Sequence, residues 1–172
     1  MILATDVHYD GDQAAIAAGV LFADWQDASA QSRLTTAISP IAPYQSGAFY
    51  QRELPCLIAL INGLDKQPET IVIDGFVTLG TEQQPGLGAH LFAALEARIP
   101  VIGVAKTAYR NTPANCAVHR GQSAQPLFVT AAGVDLDTAK AHIRAMHGAY
   151  RIPTLLREVD QLARTELARQ QA

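Results

Sequence analysis

At 172 residues, with 49% hydrophobic and 17% charged residues, the chain has the length of one domain and an ordinary globular composition. A net charge of -3 and a pI near 5.9 exclude a protein that is basic all over and grips duplex phosphates across its whole surface. Only a local cluster of Lys106, Arg110, His119 and Arg120 is left to line a groove.

The predicted elements begin with two β-type runs, Ile2 to His8 and Ala14 to Phe22, joined through an Asp-Gly hairpin signal at Asp10-Gly11. A third run, Arg33 to Ser39, completes an antiparallel meander, and Pro40 and Pro43 end the sheet edge. From Phe49 the period changes: Phe49, Glu53, Cys56, Leu57, Leu60, Ile61 and Leu64 recur three to four apart, which predicts an amphipathic helix. Thr70 to Gly75 is a short apolar run ending in a turn, suited to a buried parallel strand.

A Gly-rich polar loop leads to a helix over Leu87 to Ala97 and a strand at Pro100 to Ala105. A small hairpin or loop then precedes a strand at Pro126 to Thr130 and a helix from Asp135 to Met146. Pro153 sits near the start of a last helix, where its missing N–H costs nothing, and the polar stretch 164–172 is expected to fray. A meander followed by strand–helix alternation predicts an α/β fold: one mixed sheet in a single domain, with helices on both faces.

Cys56 and Cys116 have no CxxC or CxxH spacing and read as free thiols of a reducing compartment. Met1 to Asp6 has no basic leader region, and no uncharged apolar stretch approaches the roughly 18 residues of a membrane span. The expectation is a soluble, cytoplasmic protein.

Functional groups in open α/β sheets gather at the carboxyl ends of strands. Asp6 and Asp74 both lie near such ends, and Glu53 points to the same place if its helix packs across them. Like charges about 4 Å apart repel by several kcal/mol at intermediate dielectric, which a divalent ion relieves; oxygen ligands favour Mg²⁺ or Mn²⁺ over zinc. Each residue alone also has a plain reading, as turn former, edge charge or solvated helix residue, and Lys106 alone reads as a surface lysine.

Several segments together resemble the endonuclease V family. Asp6-Val7-His8-Tyr9 resembles its D-V-x-Y segment, and Tyr44 to Glu53 its Y-I-P-G-x-L-x-F-R-E motif. Ile73-Asp74-Gly75 is similar to the start of its D-G-H-G loop, Gly86 to His90 to its G-L-A-S-H helix, and Ile102 to Lys106 to its I-G-V-A-K strand end. Tyr150 to Pro153 is similar to its Y-R-I/L-P. The resemblance runs in order from Asp6 to about Asp160 and marks a divergent member, short at its N-terminal end.

It implies a ribonuclease H-like fold and Mg²⁺-dependent cleavage (Mn²⁺ substituting) of DNA or RNA at the second phosphodiester 3′ of inosine. It implies metal ligation by Asp6, Glu53 and Asp74, a phosphate contact from Lys106, and substrate contacts at Tyr44, Gly47 and Gly75. Some positions depart. The wedge Ile-Pro becomes Gln45-Ser46, His-Gly after Asp74-Gly75 becomes Phe76-Val77, and the H-P-R stretch becomes Thr81-Glu82-Gln83. The family's G-H-R falls at Ala131-Ala132-Gly133, so the expectation is that the active-site histidine is missing, and His8, His119, His142 and His147 read as surface or helix-face residues. Two rival readings follow: a binding module without nuclease activity, or a hydrolase of smaller phosphate esters.

Overall fold

The structure, a computed structural model, describes residues Met1–Ala172. Strand β1 (Ile2–Asp10) pairs antiparallel with β2 (Ala14–Phe22), from Ile2 opposite Phe22 to Asp10 opposite Ala14, and β2 pairs with β3 (Ser32–Ile38). Gly11, at φ 53°, supplies the left-handed residue of the first turn. Helix α1 spans Phe49–Asn62, and β4 (Thr70–Asp74) then lies parallel to β1.

The predicted loop after β4 contains a short hairpin, β5 (Thr78–Leu79) with β6 (Gln84–Pro85), followed by α2 (Leu87–Ala94). Helix α2 stops three residues early, because Glu96 and Ala97 both take positive φ and turn the chain back toward the sheet. Strand β7 (Val101–Ala105) joins β4 in parallel. A 3-10 turn at Ala114–Cys116 and β8 (Ala117–Val118) occupy the predicted hairpin-or-loop stretch. Strand β9 (Leu127–Ala132) is followed by α3 (Leu136–Ala145), which Asp135 caps by accepting from the Thr138 amide, and by α4. Helix α4 covers Thr154–Gln171, and its buried residues Leu155, Val159 and Ala163 all precede the polar stretch 164–172.

The seven-stranded sheet runs β3-β2-β1-β4-β7-β9-β8, with β1, β4 and β7 parallel and the other pairs antiparallel. Alternation along the strands divides the core. Leu3, Ala17, Ile71, Ile73 and Val101 pack with Leu57, Leu60 and Leu91 of α1 and α2; Ala4, Val20, Val72, Ile102 and Val104 pack with Ile143, Leu155 and Val159 of α3 and α4. No helix is long and apolar enough to cross a membrane. Both cysteines are buried and free.

One close approach fixes the segment after β4. Gly75, at φ 120°, ends the strand immediately behind Asp74, and its amide bonds the Val104 carbonyl at 3.0 Å. The chain then crosses Gly103, where a Cβ would stand 2.6 Å from the Gly75 carbonyl oxygen and 2.8 Å from the Val77 amide nitrogen. Thr130 Oγ1 accepts from that amide at 2.7 Å and locks the crossing. Overpacking costs typically 1–3 kcal/mol. Gly103→Ala is therefore expected to lower unfolding free energy by about 2 kcal/mol in urea titration; an unchanged midpoint contradicts the tight crossing.

Candidate active site

Parallel pairing of β1 with β4 ends at Thr5 opposite Ile73, so Asp6 and Asp74 emerge next, on neighbouring strands at the same edge. The core partition places Asp6 and Asp74 on the α4 side of the sheet, with His8 two residues past Asp6 and Lys106 two past Val104 on that side as well. Glu53 comes from α1 on the other side and is buried, 5% exposed. Asp6 is equally secluded at 6%.

The carboxyl groups feel one another. Burial first, then the Asp74 charge, push Asp6 up to about 7, against a smaller opposing pull from His8. Burial, then Asp6 and Asp74, push Glu53 up to about 8. Lys106 Nζ lies 3.2 Å from Asp74 Oδ2, and the pair is more than a third exposed. The structure thus brings the four predicted residues Asp6, Glu53, Asp74 and Lys106 together.

Arginines tie the surrounding elements in place. Arg52, beside Glu53 on α1, bonds Asp12 at 2.9 Å and the Gly11 carbonyl, and its guanidinium lies 4.2 Å above the Tyr9 ring. The Tyr9 hydroxyl points at Glu53 Oε2 from 3.5 Å. Burial, then the Glu53 charge, raise both the Tyr9 hydroxyl and the Cys56 thiol, the latter to about 11. Arg151, from the Tyr150–Pro153 motif, donates to the Lys106 carbonyl at 2.9 Å and fixes the end of β7 against the start of α4. Arg120 corrects an expectation. It is buried, donating to the carbonyls of Tyr150, Arg151, Met146 and Gly148, so it closes the α3–α4 connection and lines no groove.

Two residues outside the predicted set join the site. Asp160 of α4 stands 3.0 Å from His8 Nε2, which lies 3.4 Å from Asp6 Oδ2. Burial pushes Asp160 upward, but hydrogen bonding with His8, Asp6 and Arg164 and the Lys106 charge outweigh it, leaving its carboxyl below the usual value. The reading of His8 as a plain surface residue is corrected by these contacts; strand alternation from Asp6 was the signal that located it. The other histidines agree better with that reading. His142 stacks on Trp25 and His147 bonds Thr154, both away from the carboxylates. The segment aligned with the family's G-H-R, Ala131–Gly133, lies at the far end of the strands: Ala132 pairs with Val101 at the amino end of β7.

A groove of about 620 Å³ opens beside Asp74, lined among others by Gly47, Tyr50, Gly75, Phe76, Tyr109 and Arg110. Phe76 and Tyr109 meet edge to face at 6.4 Å, and Tyr50 stacks on His90 at 3.7 Å. Gly47 and Gly75 thus reach the groove, whereas Tyr44, 60% exposed on the loop before α1, is not among its lining residues.

This sheet order, with carboxylates at the ends of β1 and β4 and a further one on the last helix, defines a ribonuclease H-like α/β protein with an acidic site. The chain belongs to the endonuclease V family, whose model matches residues 1–115. The family is one of nucleic-acid endonucleases. The chain is similar to Endonuclease V of Streptomyces coelicolor, 28% identical over 96% of this chain and 78% of that protein. It is also similar to the crystal structure of Endonuclease V from Streptomyces avermitilis, 30% identical over 99% of this chain and 82% of that one, with a TM-score of 0.79. The Ciona intestinalis endonuclease V, solved with a 24mer DNA containing an inosine followed by a ribo-adenosine, shares the fold at 20% identity and TM-score 0.81, covering 98% of this chain and 86% of that one.

The raised carboxyls set a pH dependence. A carboxyl whose folded pKa exceeds its unfolded value holds its proton more tightly when folded; its contribution is complete below the unfolded pKa and is lost as pH rises through the folded one. For Asp6 and Glu53 that window runs from about pH 4 to about pH 8. In chelator-treated protein, Tm is expected to fall across this window, and Glu53→Gln to flatten the fall. A Tm that rises steadily from pH 4 to 8 in both proteins contradicts the buried cluster.

Proposed function

We propose that the chain is a divalent-metal-dependent endonuclease that cleaves nucleic acid on the 3′ side of inosine. The observation that carries this reading is that Asp6 and Asp74 leave adjacent parallel strands at the same end, with buried Glu53 of α1 near enough for their charges to act on it, Asp6 and Glu53 both standing well above the ordinary carboxyl range. Burying several ionised acids together is destabilising, and either a proton or a bound cation relieves it. An all-oxygen carboxylate set of this kind suits Mg²⁺, with Mn²⁺ as substitute.

In this reading Asp6, Glu53 and Asp74 hold the ion, which when bound activates water and stabilises the leaving oxygen of a phosphodiester. Lys106, fixed through its backbone by Arg151 and through its ammonium by Asp74, presents its charge where a scissile phosphate approaches. Tyr9 and Arg52 hold the Glu53 end of α1 against the β1–β2 hairpin. The groove beside Asp74 receives the nucleotide: Gly47 and Gly75 allow close backbone approach, and Phe76 and Tyr109 offer aromatic surface on which a splayed base stacks. The loop with Tyr44, Gln45 and Ser46 beside that groove contacts the strand more softly than an Ile-Pro insert does. Inosine as the recognised base draws on the family resemblance and on the inosine-containing DNA bound by the Ciona protein.

Labelled single- and double-stranded oligonucleotides carrying one inosine, incubated with Mg²⁺ or Mn²⁺, test the reading. Metal-dependent cuts 3′ of inosine are expected, reduced by more than about 100-fold in Asp74→Asn and Glu53→Gln with circular dichroism unchanged. Lys106→Ala is expected to lose activity by a smaller factor, about 10- to 100-fold, because it contacts phosphate without holding the ion. No cleavage by folded wild-type protein, or turnover confined to mononucleotides, contradicts the proposal.

A further inference from the structure

Strand β1 brings one donor to the site that the three carboxylates do not account for. Alternation puts His8 on the same face as Asp6, and α4 crosses that face with Asp160 turned toward both. One ligand atom from each of Asp6, His8 and Asp160 falls within 4.8 Å of the others. The closest separations are 3.0 Å from His8 Nε2 to Asp160 Oδ1 and 3.4 Å to Asp6 Oδ2. Neighbouring ligands of an octahedral ion with bonds of about 2.1 Å stand about 3 Å apart, so these atoms already have the spacing of ligands to one ion.

The surroundings hold both carboxylates in place without help from His8. Asp160 is clamped on its outer side by Arg164, whose Nε lies 3.1 Å from Oδ2 and 3.2 Å from Oδ1. Asp6 Oδ1 accepts from the Val7 amide at 2.9 Å. Both carboxylates are therefore oriented by partners other than His8, and the imidazole sits between them, a quarter exposed and within reach of solutes.

We propose that His8 Nε2 is a nitrogen ligand of the divalent ion held on Asp6, with Asp160 beside it, and that it biases the site toward first-row transition ions over Mg²⁺. The inference rests on the reading that Asp6 binds a divalent ion. Its chemistry is that of ligand type: Mg²⁺ demands oxygen donors and gives up water reluctantly, whereas imidazole suits first-row transition ions. A purely oxygen site discriminates less between the two classes.

Mn²⁺ is the probe, because its unpaired electrons report a coordinated nitrogen. Pulsed electron paramagnetic resonance of the Mn²⁺-loaded protein is expected to show histidine-nitrogen modulation. That modulation should change when histidine is supplied with heavy nitrogen, and vanish in His8→Gln while Mn²⁺ stays bound. By calorimetric titration, His8→Gln is expected to cut the Mn²⁺-over-Mg²⁺ affinity ratio by about 10-fold or more. Mn²⁺ bound without nitrogen modulation, or an unchanged ratio in His8→Gln, overturns the role of His8 and leaves the carboxylate site standing. No Mn²⁺ binding at all by the wild-type protein overturns both.

Discussion

Burial of several carboxyl groups beside one another, with their mutual repulsion second to it, is the constraint on which the construction of the site depends. Asp6 and Asp74 lie at the carboxyl ends of two adjacent inner strands, Glu53 faces them from α1 and Asp160 from α4, and Lys106, His8, Tyr9 and Arg164 stand near them as positive or protonatable partners. Two unit charges about 4 Å apart at an effective dielectric near 20 interact by about 4 kcal/mol, so such a cluster spreads unless the scaffold holds it. The holding is done by backbone geometry more than by ion pairs. Register between β1 and β4 sets Asp6 beside Asp74, Gly75 ends β4 at the acid, and the bare Cα of Gly103 lets the following loop pass across β7.

Around that cluster the arginines work mainly through neutral acceptors. Arg120 spends its guanidinium on four carbonyls and so fixes the turn that delivers α4, and with it Asp160, to the sheet. Arg151 binds the carbonyl of Lys106, and Arg52 joins the β1–β2 hairpin to the helix that carries Glu53. Three buried or half-buried cations therefore position acids and a lysine without neutralising the acids themselves. The acids at the centre are left without an arginine of their own, while the groove beside them combines glycines and aromatic rings with Arg110.

Much of this was legible in the sequence. The period-two runs, the Asp-Gly turn and the switch to helical spacing at Phe49 located the meander and α1. The strand-end positions of Asp6, Asp74 and Lys106, with the family motifs, pointed to the candidate site. What escaped has physical causes. Residues whose role depends on long-range packing leave no local pattern: Asp160 is one acid on a helix whose apolar stripe, Leu155, Val159 and Ala163, marks the core and not its neighbour. Arg120 looked like part of a basic cluster because carbonyl cages are invisible in sequence. His8 was legible in principle, two residues along a strand from Asp6, yet it stands at the open position of the D-V-x-Y segment, which assigns it no role. The early end of α2 arises from left-handed Glu96 and Ala97, residue types that give no signal for that conformation.

The central claim is that Asp6, Glu53 and Asp74 are arranged to share a divalent cation. The most direct measurement is an anomalous difference map from crystals soaked in Mn²⁺, which locates the ion without reference to activity. The account predicts one strong peak within about 2–2.5 Å of a carboxylate oxygen of Asp6, close to Asp74 and Glu53. A map with no peak at these carboxylates under saturating Mn²⁺, or with Mn²⁺ bound only elsewhere on the surface, would contradict it.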